Sequence, residues 1–364
     1  MTIEPINVTT TKQDNPLAKL AQMEQDISVK EIPAYYAPIQ LSTKGKEGAP
    51  AVFHIRNFSM KDVMELALTD EADLPERLLT ILQNLIFEKD VSVSNFREEE
   101  VIETIVRMYI AFFSPSIEMD FPVEDSDFEY LRRKNTKEAL EQVEALQNGT
   151  WKPKVLINLV NDLEVYELPE NFSAIATIKN KKIDFSVSFR APRYGDVIIV
   201  KKWLKETFEP QEKKFTQIKA LIDMRDTIKQ KYLSGELVSL QSMPEVPEDQ
   251  EETYKQFQME KTLALIDVIR ALHLVTFNGV DVRDKSLTER ITLIQDPRID
   301  INITKKLDAY FDSLKIGIKP EVSVINPITG EPCIRRFSFR LVDILQAIQL
   351  SNNNEYDFIL GNEH

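Results

Sequence analysis

Apolar residues recur at helical spacing through the first third of this chain and alternate with polar ones through its middle. After Ser59 come Val63, Met64, Leu66 and Ala67, and after Pro75 come Leu78, Leu79, Ile81, Leu82, Leu85 and Ile86. A period near 3.6 predicts two amphipathic helices. Ser59 caps the first, with Asp62 in its opening turn, and Pro75 sits near the first position of the second. Val101, Ile102, Ile105, Val106, Tyr109, Ile110, Phe112 and Phe113 predict a third helix that is apolar nearly all round and therefore central. Asn95 is its expected cap, Glu98–Glu100 oppose its N-terminal dipole, and Pro115 ends it.

Upstream, Tyr35–Leu41 and Val52–Ile55 flank a polar, glycine-containing stretch, which is a hairpin pattern. Thr136–Gln147 reads as an exposed helix with Leu140 and Val143 inward. Val155–Val160 reads as a strand. Ser173–Lys179 and Ile183–Phe189 give the clearest hairpin, because Ile183, Phe185, Val187 and Phe189 alternate. Helical spacing returns over 196–233. A Pro- and acid-rich linker covers 243–250. A long helix follows over about 252–276, with Leu263, Ile266, Ile269, Leu272 and Leu274 expected inside. Shorter helices fit 286–295 and 302–314, a hairpin fits Glu321–Ile325 with Cys333–Phe339, and a last helix fits 340–350. The expected class is α+β: a helical module with adjoining β-hairpins, followed by a mainly helical C-terminal extension. The expected units are a polar arm (1–33), an α+β domain (34–205), a connecting helical region (206–242), the linker (243–250) and a C-terminal α+β domain (251–364).

Composition narrows the chemistry. The chain has 364 residues, 43% hydrophobic and 29% charged, and a net charge of −14. That charge is the opposite of a nucleic-acid footprint. It suits docking on basic protein surfaces. Nine glycines leave little material for phosphate-cradling loops, and the single Cys333 excludes a disulfide within the chain and a cysteine zinc cage. No secretory leader and no membrane span are expected.

The histidines are His54, His273 and His364, none with a second ligand residue at metal spacing. Phosphate-loop, dinucleotide, nucleophile-elbow and zincin motifs are missing. Asp125-Ser126-Asp127 begins like a calcium loop but lacks the glycine of the sharp turn, so a solvated acidic loop is expected. The expectation is a protein without catalysis, cofactor or metal. Carboxylate chemistry stays open as the alternative, since Asp and Glu are abundant. The candidate interaction residues are two groups. Lys179, Lys181 and Lys182 lie at a hairpin tip, either as a solvated turn or as a contact for an acidic partner. Arg190, Arg193 and Tyr194 end the best strand, either as an interface cluster or as a turn whose Arg stems cover apolar surface.

The order of elements over about 36–205 resembles the baseplate hub family of T-even-type phages, whose relatives are tail or baseplate assembly proteins of other long-tailed phages. The resemblance rests on four features. A Pro-led strand pair runs into Ile55-Arg56-Asn57-Phe58-Ser59-Met60-Lys61. The loop Glu88-Lys89-Asp90-Val91-Ser92-Val93 precedes the central helix. That helix ends in Ser114-Pro115-Ser116-Ile117-Glu118, and the later strands end in Arg190-Ala191-Pro192. Two features depart from the family: Ser116 stands where relatives often have Gly, and Cys333 is unpaired. The resemblance implies a structural or assembly component of a tailed-phage baseplate, assembled in host cytoplasm and residing in the virion. Its partners would be other tail proteins, with self-association left open. A non-virion assembly chaperone or adaptor is the alternative in the same setting.

Overall fold

The computed structural model describes residues 32–70, 72–170, 172–180, 183–234, 243–339 and 344. The expected N-terminal arm and most of the expected last helix lie outside the described residues. The class is α+β: helices with several small antiparallel sheets.

Strand β1 (Tyr36–Ile39) pairs with β2 (Phe53–Arg56), as the alternation predicts. Ser59 caps α1 (Met60–Ala67) reciprocally. Its hydroxyl accepts the Asp62 N–H at 3.2 Å, and the Asp62 carboxylate accepts the Ser59 N–H at 2.8 Å, satisfying two donors a helix start leaves open. Helix α2 (Leu74–Leu85) has Pro75 in its first turn and buries Leu78, Ile81, Leu82 and Leu85. Helix α3 (Glu98–Phe112) is central to the first core, with Val101, Ile105, Val106 and Met108 buried.

Three local readings change. The cap of α3 is Arg97, not Asn95, which instead closes a single 3-10 turn over Val93–Asn95. Asp125-Ser126-Asp127 is not a solvated loop but the start of α4 (Asp125–Lys134), with Asp127 buried. Acid at its start and Arg132, Arg133 and Lys134 at its end both oppose the helix dipole, which is why the segment is helical. Asp127 accepts from Asn326 Nδ2 at 2.7 Å and from Arg335 Nη2 at 3.2 Å. In α5 (Lys137–Gln147) the inward residues are Ala139 and Val143, and Leu140 is exposed.

Strand β3 (Ser116–Asp120) pairs with β4 (Lys154–Asn158). Further along, β9 (Glu321–Ile325) and β10 (Pro332–Arg336) form the expected C-terminal hairpin. Val322, Val324 and Phe337 nevertheless pack into the first core with α2 and α3. The segment expected as a separate C-terminal unit is therefore shared between two cores.

The second core lies on a four-stranded antiparallel sheet ordered β5-β6-β7-β8, of strands β5 (Ile175–Asn180), β6 (Phe185–Arg190), β7 (Leu274–Phe277) and β8 (Val280–Asp281). Phe185, Val187 and Phe189 alternate inward as predicted, while Ile183 falls outside β6 and is exposed. Helices α8 (Leu287–Ile294) and α9 (Ile301–Ser313) cover the sheet with Ile294, Ile303 and Leu307.

Neighbouring antiparallel strands need only a two-residue turn. Between β6 and β7 this chain inserts α6 (Tyr194–Leu233) and α7 (Glu248–His273) instead. Helix α6 has 40 residues and so runs about 60 Å. The pair is antiparallel. Phe215 stacks on Phe257, Lys261 reaches Glu212, and Arg225 Nη1 and Nη2 donate to the Glu251 carboxylate at 2.5 and 3.0 Å. Only Tyr194, Asp196 and Phe208 of α6 are buried. Beyond Phe208, α6 packs on α7, and the last turns of α7 also pack on α8, with Gln295 Nε2 donating to Asp267 at 2.9 Å.

Candidate interaction surfaces

At the root of the arm, a glycine sets the approach. A Cβ on Gly195 would lie 2.7 Å from Ser94 Cβ and 2.9 Å from Ser94 O. The Tyr194 N–H donates to Phe96 O at 2.6 Å. Arg190 Nη1 and Nη2 donate to the Asp196 carboxylate at 2.8 and 2.7 Å, the Arg193 N–H donates to it at 2.8 Å, and His273 Nε2 lies 3.4 Å from it. One buried carboxylate thus ties the end of β6, the start of α6 and the end of α7, where the arm leaves and rejoins the body. Burial pushes the Asp196 carboxyl upward, but His273 and Arg190 outweigh it and hold it well below the usual range.

The predicted cluster Arg190, Arg193 and Tyr194 belongs to this knot. Arg190 is engaged by Asp196, Arg193 Nη1 donates to Asn95 Oδ1 at 2.9 Å, and Tyr194 is 8% exposed. Burial, with Glu98 nearby, pushes the Tyr194 phenol up. Burial, reinforced by the Arg190 charge, pulls the Arg193 guanidinium down. Lys179 is exposed near the end of β5, opposite Ser186. Lys181 and Lys182 lie outside the described residues.

Two carboxylates that sequence reasoning passed over hold the loop between β1 and β2. Glu103 accepts the Ser42 N–H and hydroxyl at 2.9 and 2.7 Å. Glu100 accepts from Thr43 Oγ1 at 2.7 Å, Ala49 N at 3.2 Å and Arg97 N at 2.9 Å. Both sit on α3 and both are buried. Burial raises the Glu100 carboxyl, opposed by these donors. Glu47, in the same loop, is pushed up by burial to about 7 against the lowering charge of Arg97, and its Oε2 is buried with no hydrogen-bond partner. Glu100 and Glu103 act as tethers. Open clefts of about 620 and 910 Å³ lie beside α9, and neither Glu47 nor Glu100 lines them. His54 is held by Glu88, with Nδ1 at 2.7 Å from Oε1. Among the described residues no group of three or more His, Cys, Asp or Glu is placed to hold a metal, and no helix is long and apolar enough to cross a membrane.

The largest departure from the sequence reading is on α7. Leu263, Ile266 and Ile269 were expected inside. They are 55%, 37% and 37% exposed, and Met259 is 62% exposed. At 100° per residue, Glu251, Tyr254, Phe257 and Lys261 form one face of α7, and their partners Arg225, Phe215 and Glu212 place that face against α6. Met259, Leu263 and Ile266 fall on the opposite side. The available signal was that the apolar residues of this helix occupy two faces, whereas a helix packed on one neighbour needs one.

A scan against protein-family models, a search of curated proteins and a search of solved structures each found no match to this chain.

Proposed function

We propose that this chain is an assembly component that works by protein–protein contact through its α6–α7 arm, in the setting its sequence resembles, the baseplate or tail tip of a long-tailed phage. The observation that carries the reading is the arm. A helical pair about 40 Å long, inserted between adjacent strands and anchored at its root by Asp196, presents large apolar side chains to solvent on α7. Burying those side chains is favourable at about 25 cal/mol per Å², and a contiguous exposed apolar stripe is the usual mark of a docking site. Contact rather than turnover also accords with Glu100 and Glu103, whose oxygens hold the loop between β1 and β2.

The exposed stripe on an acidic chain also favours a second reading, an assembly chaperone that covers a partner's apolar surface and leaves before the particle is complete. Mass spectrometry of purified tail particles and of soluble complexes from the same cells tests both. A structural component is found in particles, and a chaperone only in soluble complexes. Recovery of the chain alone, in neither fraction with a tail protein, overturns the assembly reading.

A further inference from the structure

On the inner face of α7, Tyr254 and Phe257 pack on Phe215 of α6, yet the helix carries a second apolar stripe on its far side. Met259, Leu263 and Ile266 follow one another at intervals of four and three residues and are all exposed. Two neighbours in the chain hold α7, α6 on the inner face and α8 along its last turns, where Gln295 Nε2 donates to Asp267 at 2.9 Å, and these three side chains remain exposed between them. The charge around the stripe narrows what the second neighbour can be. The exposed acids Glu252 and Glu260 and the half-buried Asp267 border it, with Glu248 and Asp249 at its first turn. Against these stand Lys255, which bonds back to Glu251, and Arg270, which faces Asp308 at 3.9 Å. Acidity is not general to the arm: α6 has more Lys and Arg than Asp and Glu, and α7 has the reverse. The inner charges cancel in pairs such as Arg225–Glu251 and Lys261–Glu212, so the surplus negative charge of α7 lies on the face that bears the stripe.

Resting on the assembly reading above, we propose that the outer face of α7 seats an amphipathic helix of a partner protein, one with an aliphatic stripe flanked by lysine or arginine. The aliphatic stripe would cover Leu263 and its neighbours, in the helix-in-groove mode of recognition. Basic flanks would meet the exposed Glu252 and Glu260, setting orientation and association rate.

The test uses the full chain and two fluorescent probe peptides of about twenty residues, long enough to span the stripe. One is an amphipathic Leu/Lys helix and the other its Leu/Glu counterpart. Anisotropy titrations are expected to show binding of the Leu/Lys peptide only. The double variant Leu263→Asp, Ile266→Asp should bind it at least ~10-fold more weakly, although it adds negative charge. The control Thr216→Asp, Thr227→Asp, on the polar outer face of α6, adds the same charge and should bind no more weakly than the parent. All three chains should share one thermal midpoint, because the altered positions are exposed. Equal binding by both variants would mean attraction by net charge alone and would overturn the proposal, as would failure of the parent chain to bind the Leu/Lys peptide. Association with tail proteins that survives the Leu263→Asp, Ile266→Asp change would retire the stripe and leave the assembly role standing.

Discussion

Gly195 rests against Ser94 so closely that a methyl group at Gly195 would come within 2.7 Å of the Ser94 Cβ. The contact joins the first turn of the arm to the 3-10 turn before α3, and it sets two effects of opposite sign against each other. Alanine is favoured over glycine within a helix by about 1 kcal/mol, whereas overpacking costs roughly 1–3 kcal/mol. Because Ser94 O is backbone and lies 2.9 Å from the added Cβ, the clash should win. Gly195→Ala is expected to lower the urea midpoint, and Gly195→Val to lower it further. A rise in midpoint for Gly195→Ala would show that the root is not packed this way.

Asp196 is the counter-charge for Arg190 and lies 3.4 Å from His273 Nε2 at the other foot of the arm. Asp196→Asn leaves Arg190 buried without its bidentate partner, and breaking such a pair typically costs about 3 kcal/mol or more. The Asp196 carboxyl is held below its unfolded value, so its contribution is complete above the unfolded-state pKa near 4 and is lost as pH falls toward the folded value. Urea titrations should show a large difference between parent and variant at pH 7 that narrows below about pH 4. A difference that grows on acidification would contradict the assignment.

Glu47 behaves in the opposite sense. Burial raises its carboxyl to about 7, so the folded chain keeps a proton that the unfolded chain releases. Stability is therefore expected to fall as pH rises from about 4.5 to about 7 and to level off above it. Glu47→Gln removes that slope. After discounting for partial exposure, the variant should be more stable than the parent by roughly 1–2 kcal/mol at pH 8 and nearly equal to it at pH 4. Calorimetric midpoints at the two pH values decide the point, and equal effects at both would refute the buried-carboxyl account.

The distal arm has little besides its seam to hold it. Arg225 and Glu251 make a two-pronged pair between α6 and α7. Arg225→Ala should speed amide exchange over residues 215–233 and 248–257 while leaving the strands β5–β7 protected and the global midpoint unchanged. Uniform loss of protection would mean the arm and the body unfold as one unit.

Much of this architecture was legible in the sequence because it is local. Alternation marks β5 and β6, the Ser59–Asp62 box marks the start of α1, and helical spacing marks α6 and α7. What was not legible depends on distant partners. Glu100 reads as an exposed first-turn acid until Thr43 and Ala49, more than fifty positions away, come to it. Asp127 reads as loop until Asn326 and Arg335 arrive from the far end of the chain. Leu263 and Ile266 read as core because periodicity reports that a helix has an apolar face, and it does not report that the two side chains stay exposed among the described residues. Arg190, Arg193 and Tyr194 read as an interface cluster or a strand-ending turn, and the carboxylate that holds Arg190 and the Arg193 N–H, Asp196, lies a few residues farther on.

The measurement that bears most directly on the account is co-sedimentation with tail particles of the full chain and of a chain whose arm is shortened by replacing residues 210–266 with a short Gly/Ser linker, which removes Met259, Leu263 and Ile266. The buried Phe208 and Val268 flank the cut, and β6, β7 and the Asp196 knot lie below that level, so the shortened chain should keep its body. The account predicts that both chains melt alike and that only the full chain sediments with particles. Equal sedimentation of the two would contradict it, because the contact would then lie on the body and not on the arm.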